Sequence, residues 1–99
     1  MNNLFEHLEN RVVDCGYQRR LVNAGNFPAQ IEKLREEVQE LEDATHIDQI
    51  KDGIGDCMVV LTIIAAMFDL TLLDCYFFAY NQIKNRKGKT VNGVFIKET

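Results

Sequence analysis

No CxxC pair occurs in these 99 residues, and the two histidines, His7 and His46, lie far from any cysteine cluster, so a zinc site has no ligand spacing to rest on. The three cysteines are an odd number, and Cys57 and Cys75 sit in apolar helical patterns where thiols behave as small hydrophobes. A reducing cytoplasm is the expected compartment. One proline, with 46% hydrophobic and 26% charged residues, excludes a collagen-like, low-complexity or disordered chain. A basic excess is also missing. Eleven Lys and Arg against fifteen Asp and Glu leave a net charge of −4, which argues against general binding to a nucleic-acid backbone. The longest apolar run, Cys57 to Phe68 broken only by Thr62, falls well short of the roughly twenty residues a membrane-crossing helix requires. It is expected to be a buried core helix. Met1-Asn2-Asn3 leads straight into an acidic amphipathic stretch, without the basic start and apolar core of a secretory signal, so neither export nor a membrane partner is expected.

The chain has the length of one small domain, residues 1–99, and apolar periodicity makes it all-α. Leu4, Phe5, Leu8 and Val12 predict a first helix over about 3–15, with Gly16 as its stop. Gly25-Asn26 before Pro28 breaks the chain and opens a second helix from Pro28 to about Ala44, whose Ile31, Leu34, Val38 and Leu41 form one stripe. Asp48 is the expected N-cap of a third helix reaching about Phe68, which pairs with the second as an antiparallel hairpin. Thr71 and Asp74 resemble a capping box for a fourth helix, ended by Gly88, with Leu72, Leu73, Tyr76 and Ile83 on its buried side. Asn92-Gly93 predicts a turn between short extended segments in the C-terminal tail. The third helix is apolar on every side beyond Cys57, and so short a chain has too few elements to cover it. Further copies are expected to complete a four-helix-bundle-like core, giving a homo-oligomer, either a dimer or a tetramer.

Beside the apolar stripe of the second helix runs a polar one, Gln30, Lys33, Glu37 and Glu40, also stepping by three, four and three. Glu37 and Glu40 stand about a turn apart and can offer oxygen to one hard cation. Asp52 and Asp56 share a face of the third helix, and Asp56 directly precedes the apolar run with no basic residue one turn along at Val60. An ionised carboxylate bordering a core costs several kcal/mol of order unless it is paired, hydrogen-bonded or metal-bound. Folding the hairpin sets these pairs opposite each other as an oxygen cage suited to Mg²⁺, with Mn²⁺ as the alternative. Spacing alone serves a second reading equally well, in which Glu32, Glu36, Glu37, Glu40, Glu42 and Asp43 form a solvated acidic face. Lys84, Arg86, Lys87 and Lys89 put four positive charges into six residues, either as counter-charges to a helix C-terminus or as a phosphate site. Cage and basic cluster together suit a nucleoside triphosphate.

Glu36-Glu37-Val38-Gln39-Glu40, followed by Gly55-Asp56 leading an apolar helix, resembles the MazG-like all-helical nucleoside triphosphate pyrophosphohydrolases. The likeness extends to a small single-domain subgroup often met in phage genomes, through Gln30-Ile31-Glu32-Lys33-Leu34, Asp52-Gly53-Ile54-Gly55-Asp56, residues 83–89 and residues 91–98. It implies Mg²⁺-dependent cleavage of a (deoxy)nucleoside triphosphate between the α and β phosphates, in the cytoplasm, or a host's if the chain is phage-encoded. By position, Glu37, Glu40 and Asp56 become metal ligands. The family usually has Glu where this chain has Gly53, so Asp52 is expected to serve from one position earlier. Glu36 or Glu40 is the expected base. Gln30, Lys33, Asn81, Lys84, Asn85, Arg86 and Lys87 are the expected substrate contacts, although relatives tend to carry lysine near Asn81 and Trp-Ala in place of Cys15-Gly16. The competing expectation is a non-catalytic helical oligomer that binds a nucleotide or a protein partner.

Overall fold

The computed structural model describes residues 3–98 as four helices and a two-stranded hairpin. Helix α1 spans Leu4–Gln18, α2 Phe27–Glu42, α3 Ile47–Met67 and α4 Leu72–Ile83, followed by strands β1 (Gly88–Val91) and β2 (Val94–Lys97). The chain is therefore mostly helical. Among the described residues, no single helix is long and apolar enough to cross a membrane.

The first helix does not stop at Gly16. That glycine is buried inside α1, where an added Cβ would stand 3.0 Å from Val22 and 3.3 Å from Ile63. Termination comes at Arg20, whose φ of 59° turns the chain left-handed while Leu21 N–H donates to the Gly16 carbonyl and Arg20 N–H to that of Tyr17. Asp69 ends α3 in the same way at φ 58°, with Leu70 bonded back to Ala65 and Asp69 to Ala66. Asn26 caps α2 by accepting from Ala29 N–H at 3.1 Å, with Pro28 in the first turn where a missing N–H costs nothing. The cap position of α3 falls on His46, and Asp48 lies in the first turn, where its charge suits the positive end of the helix dipole.

Helices α2 and α3 form the antiparallel hairpin, the most extensive packing in the chain. They approach closely at Gly53, whose absent side chain lets Leu41 sit where a Cβ would be only 3.2 Å from the Leu41 Cα. Helix α1 also lies against α3, and the buried apolar side chains Val60, Ile63 and Ala65 all belong to α3. Thr62, also buried, satisfies its hydroxyl on the Met58 carbonyl at 2.7 Å.

Helix α4 begins on the Thr71 cap, whose hydroxyl accepts from Asp74 N–H at 3.0 Å, and it leaves α3 at a bend of 99°. It ends at Ile83, before the basic cluster rather than at Gly88. No residue of α4 is buried, and Tyr76, expected to face a core, is 69% exposed. An amphipathic pattern marks which side can be buried, and within one chain nothing lies against it. The extended tail is a paired antiparallel ladder, Gly88 opposite Lys97 and Val91 opposite Val94, closed by Asn92 and Gly93 at φ 51° and 78°.

Candidate metal centre

The register set at Leu41 and Gly53 fixes what faces what one turn away. Glu37 and Glu40 on α2 meet Asp56 on α3, with one carboxylate oxygen from each inside a common 4.8 Å. Glu37 is the deepest, only 7% exposed, while Asp56 is half-buried and Glu40 opens to solvent. In an octahedral Mg²⁺ shell with bonds of about 2.1 Å, ligand oxygens stand roughly 3.0 Å apart when adjacent and roughly 4.2 Å when opposite, so the three groups must draw together to share one small hard cation. The donor set is all oxygen, as such a cation requires.

The electrostatics have the same cause. Hydrogen bonding with Glu40 holds the Glu37 carboxyl above its ordinary value, and burial and the repulsion of Glu40 and Asp56 push it further the same way. Lys33, one turn back on α2, opposes them. Burial also raises the Cys57 thiol, with Glu37 and Asp56 adding to the effect. Among the described residues, no salt bridge engages any of the three carboxylates. The rest of the acidic run behaves differently. Glu32 pairs with Arg35, and Glu42 and Asp43 both accept from the Gln39 amide. The acidic helix α2 thus divides into a solvated side with local partners and two carboxylates, Glu37 and Glu40, turned toward Asp56 of α3.

Glu36 is exposed and lies outside the convergence. Asp52 is outside it too, but with Glu40, Asp43 and Asp56 it lines an adjoining depression of about 320 Å³. On the far side of Asp52 and Asp56 a wider, open depression reaches Asp48, Lys51, Gly55 and Val59. Gln30 and Lys33 lie on α2 before Glu37. Asn81, Lys84, Asn85, Arg86 and Lys87 are elsewhere: Asp56 lies about 16 Å along α3 from its C-terminal end, α4 then runs about 18 Å nearly at right angles, and the basic cluster ends about 24 Å from the cage at 1.5 Å per helical residue.

Two features escaped the sequence reading. Glu9 is buried and accepts the backbone N–H of Leu72, holding the N-terminus of α4 against α1. Its signal was its place beside the Phe5, Leu8 and Val12 stripe. His7, Arg11, Cys15 and Arg19, each four residues from the last, rim a cavity of about 470 Å³ over Val59 and Ile63. Val59 belongs to this cavity and to the depression at Asp56, so the two adjoin. No protein-family model matches this sequence, and no curated protein or solved structure matches it either.

Proposed function

We propose that this chain is a nucleoside triphosphate pyrophosphohydrolase of the MazG-like kind, working as a homo-oligomer and splitting a (deoxy)nucleoside triphosphate into monophosphate and pyrophosphate. The observation that carries the reading is the convergence of Glu37, Glu40 and Asp56 from two helices with, among the described residues, no salt bridge to any of them. Like charges this close are costly unless a proton or a cation stands among them. Glu37, Glu40 and Asp56 would hold Mg²⁺ or Mn²⁺, with Asp52 at the edge of the same depression. When bound, such an ion neutralises phosphate charge and acidifies water.

The remaining work falls to the protein. Glu40, solvent-facing at the rim, or Glu36 beside it is placed to take the proton of an attacking water. Lys33, near enough to act on the Glu37 charge, can meet a phosphate oxygen, and Gln30 stands about a turn further back on α2. The neighbouring cavity is apolar in its floor with Arg11 and Arg19 at its rim, and its size suits a nucleoside. Helix α3 leaves Ile47, Ile50, Ile54, Met58 and Leu61 as an uncovered stripe, the seat for the second copy that completes a bundle.

The test is Asp56→Asn, which keeps size and removes charge. Pyrophosphate release from a panel of nucleoside triphosphates with Mg²⁺ should fall at least about a hundredfold while helix content is unchanged. Mg²⁺ or Mn²⁺ should raise the melting temperature of the native chain but not of the variant. Full activity in the variant defeats the assignment. Metal-dependent stabilisation with no pyrophosphate release from any nucleotide leaves a binding protein instead.

A further inference from the structure

The basic cluster is presented on an arm that its own chain anchors at the start, through Glu9 and Leu72, and leaves uncovered beyond it. Helix α4 has no buried residue, its packing is against α3 alone among the extensive helix contacts, and the hairpin packs chiefly on itself. Lys84, Arg86, Lys87 and Lys89 therefore stand about 24 Å from the cage, at 1.5 Å per helical residue, and no side chain spans that gap.

We propose that the arm works in trans: Lys84, Arg86 and Lys87 of one copy close over the Glu37, Glu40 and Asp56 cage of another, where they hold the phosphate oxygens of the substrate. This rests on the reading of the cage as a triphosphate centre and goes beyond it, because each site is incomplete until two copies meet. Three observations choose a second copy as the occupant. The chain exposes 8057 Å², whereas a compact protein of 11.4 kDa exposes about 5,800 Å², and the surplus is more than twice the roughly 800 Å² each partner gives to a standard interface. The surplus is apolar where the arm is, with Tyr76, Phe77, Phe78 and Tyr80 all exposed. Charge is complementary as well, since residues 28–56 carry nine acidic against three basic side chains and residues 84–98 five basic against one acidic. A bend of 99° turns the arm nearly at right angles to α3, and α4 makes no extensive contact with α2.

Mixing two inactive variants tests this. Asp56→Asn destroys the cage and leaves the arm, while combined Lys84→Ala, Arg86→Ala and Lys87→Ala destroys the arm and leaves the cage. In an equimolar mixture allowed to exchange subunits, about a quarter of the sites pair an intact cage with an intact arm from the other copy, so about a quarter of native pyrophosphate release should return. A mixture that forms mixed oligomers by light scattering yet stays as inactive as its components overturns the proposal, and so does native activity in the arm variant. If the native chain releases no pyrophosphate from any nucleotide, the catalytic reading falls and the arm is judged separately. Carbodiimide cross-linking of mixed ¹⁴N and ¹⁵N chains should then join the lysines of residues 84–89 to Asp48, Asp52 or Asp56 as mixed-isotope peptides, and their absence overturns the arm in trans.

Discussion

Glu37 keeps a proton that the unfolded chain would give up, because Glu40 shares it, burial disfavours the charge and Asp56 repels it. Its folded pKa lies above the ordinary 4.5, so the folded state binds more protons than the unfolded one between those two values. The stability this contributes is complete below 4.5 and is lost as pH rises through the elevated folded value. In chelator, the melting temperature of the native chain should therefore fall with rising pH relative to Glu37→Gln, which carries no titrating group. A gap between the two that stays constant with pH contradicts the shift. The Cys57 thiol offers an independent probe, since burial and the same carboxylates make its thiolate scarce. Alkylation at Cys57 should be slower than at exposed Cys15, and Mg²⁺ should accelerate it selectively by offsetting Glu37 and Asp56. Peptide mass spectrometry reads both rates in one sample.

At the scale of the elements, two glycines only two residues apart in α3, and so on opposite sides of the helix, do opposite jobs. Gly53 faces α2, and an added Cβ would lie 3.0 to 3.2 Å from Leu41 atoms, its Cα included, so the hairpin must spread just beside the cage. Gly53→Ala should cost about 1–3 kcal/mol in chemical denaturation and weaken the stabilisation by Mg²⁺. Gly55 meets nothing within 4 Å, so Gly55→Ala should instead gain up to about 1 kcal/mol of helix propensity. Equal effects from the two would refute the close approach. The hairpin and its facing acids were legible from stripes stepping by three and four, because helical period and a four-residue link leave little choice. The end of α1 was not legible, whereas that of α3 was read to within a residue. Arg20 and Asp69 take the left-handed turn that a glycine usually signals, while Gly16 serves packing.

For the whole molecule the deciding quantity is apolar surface left in water. The radius of gyration is 15.6 Å against about 13 Å for a compact domain of this length, and among the described residues the buried apolar side chains are Val60, Ile63 and Ala65 alone. Light scattering should give a mass at least twice 11.4 kDa, and melting temperature should rise with protein concentration. Ile54→Glu, on the uncovered stripe of α3, should shift the mass toward the monomer and lower the melting temperature. A concentration-independent melt at the monomer mass would show that the stripe stays in water.

The sequence by itself determined the helices, the Asn92-Gly93 hairpin and the faces on which Glu37, Glu40 and Asp56 lie, because these follow from local period and turn chemistry. Tertiary structure decided which acids converge: three do, and Asp52 and Glu36 stay at the margin, since the contact at Gly53 sets the rotation of one helix on the other. It also decided that the basic cluster stands far from the cage of its own chain. A bend of 99° after Asp69 is a long-range consequence of one backbone conformation, and no spacing of charges along the chain encodes it.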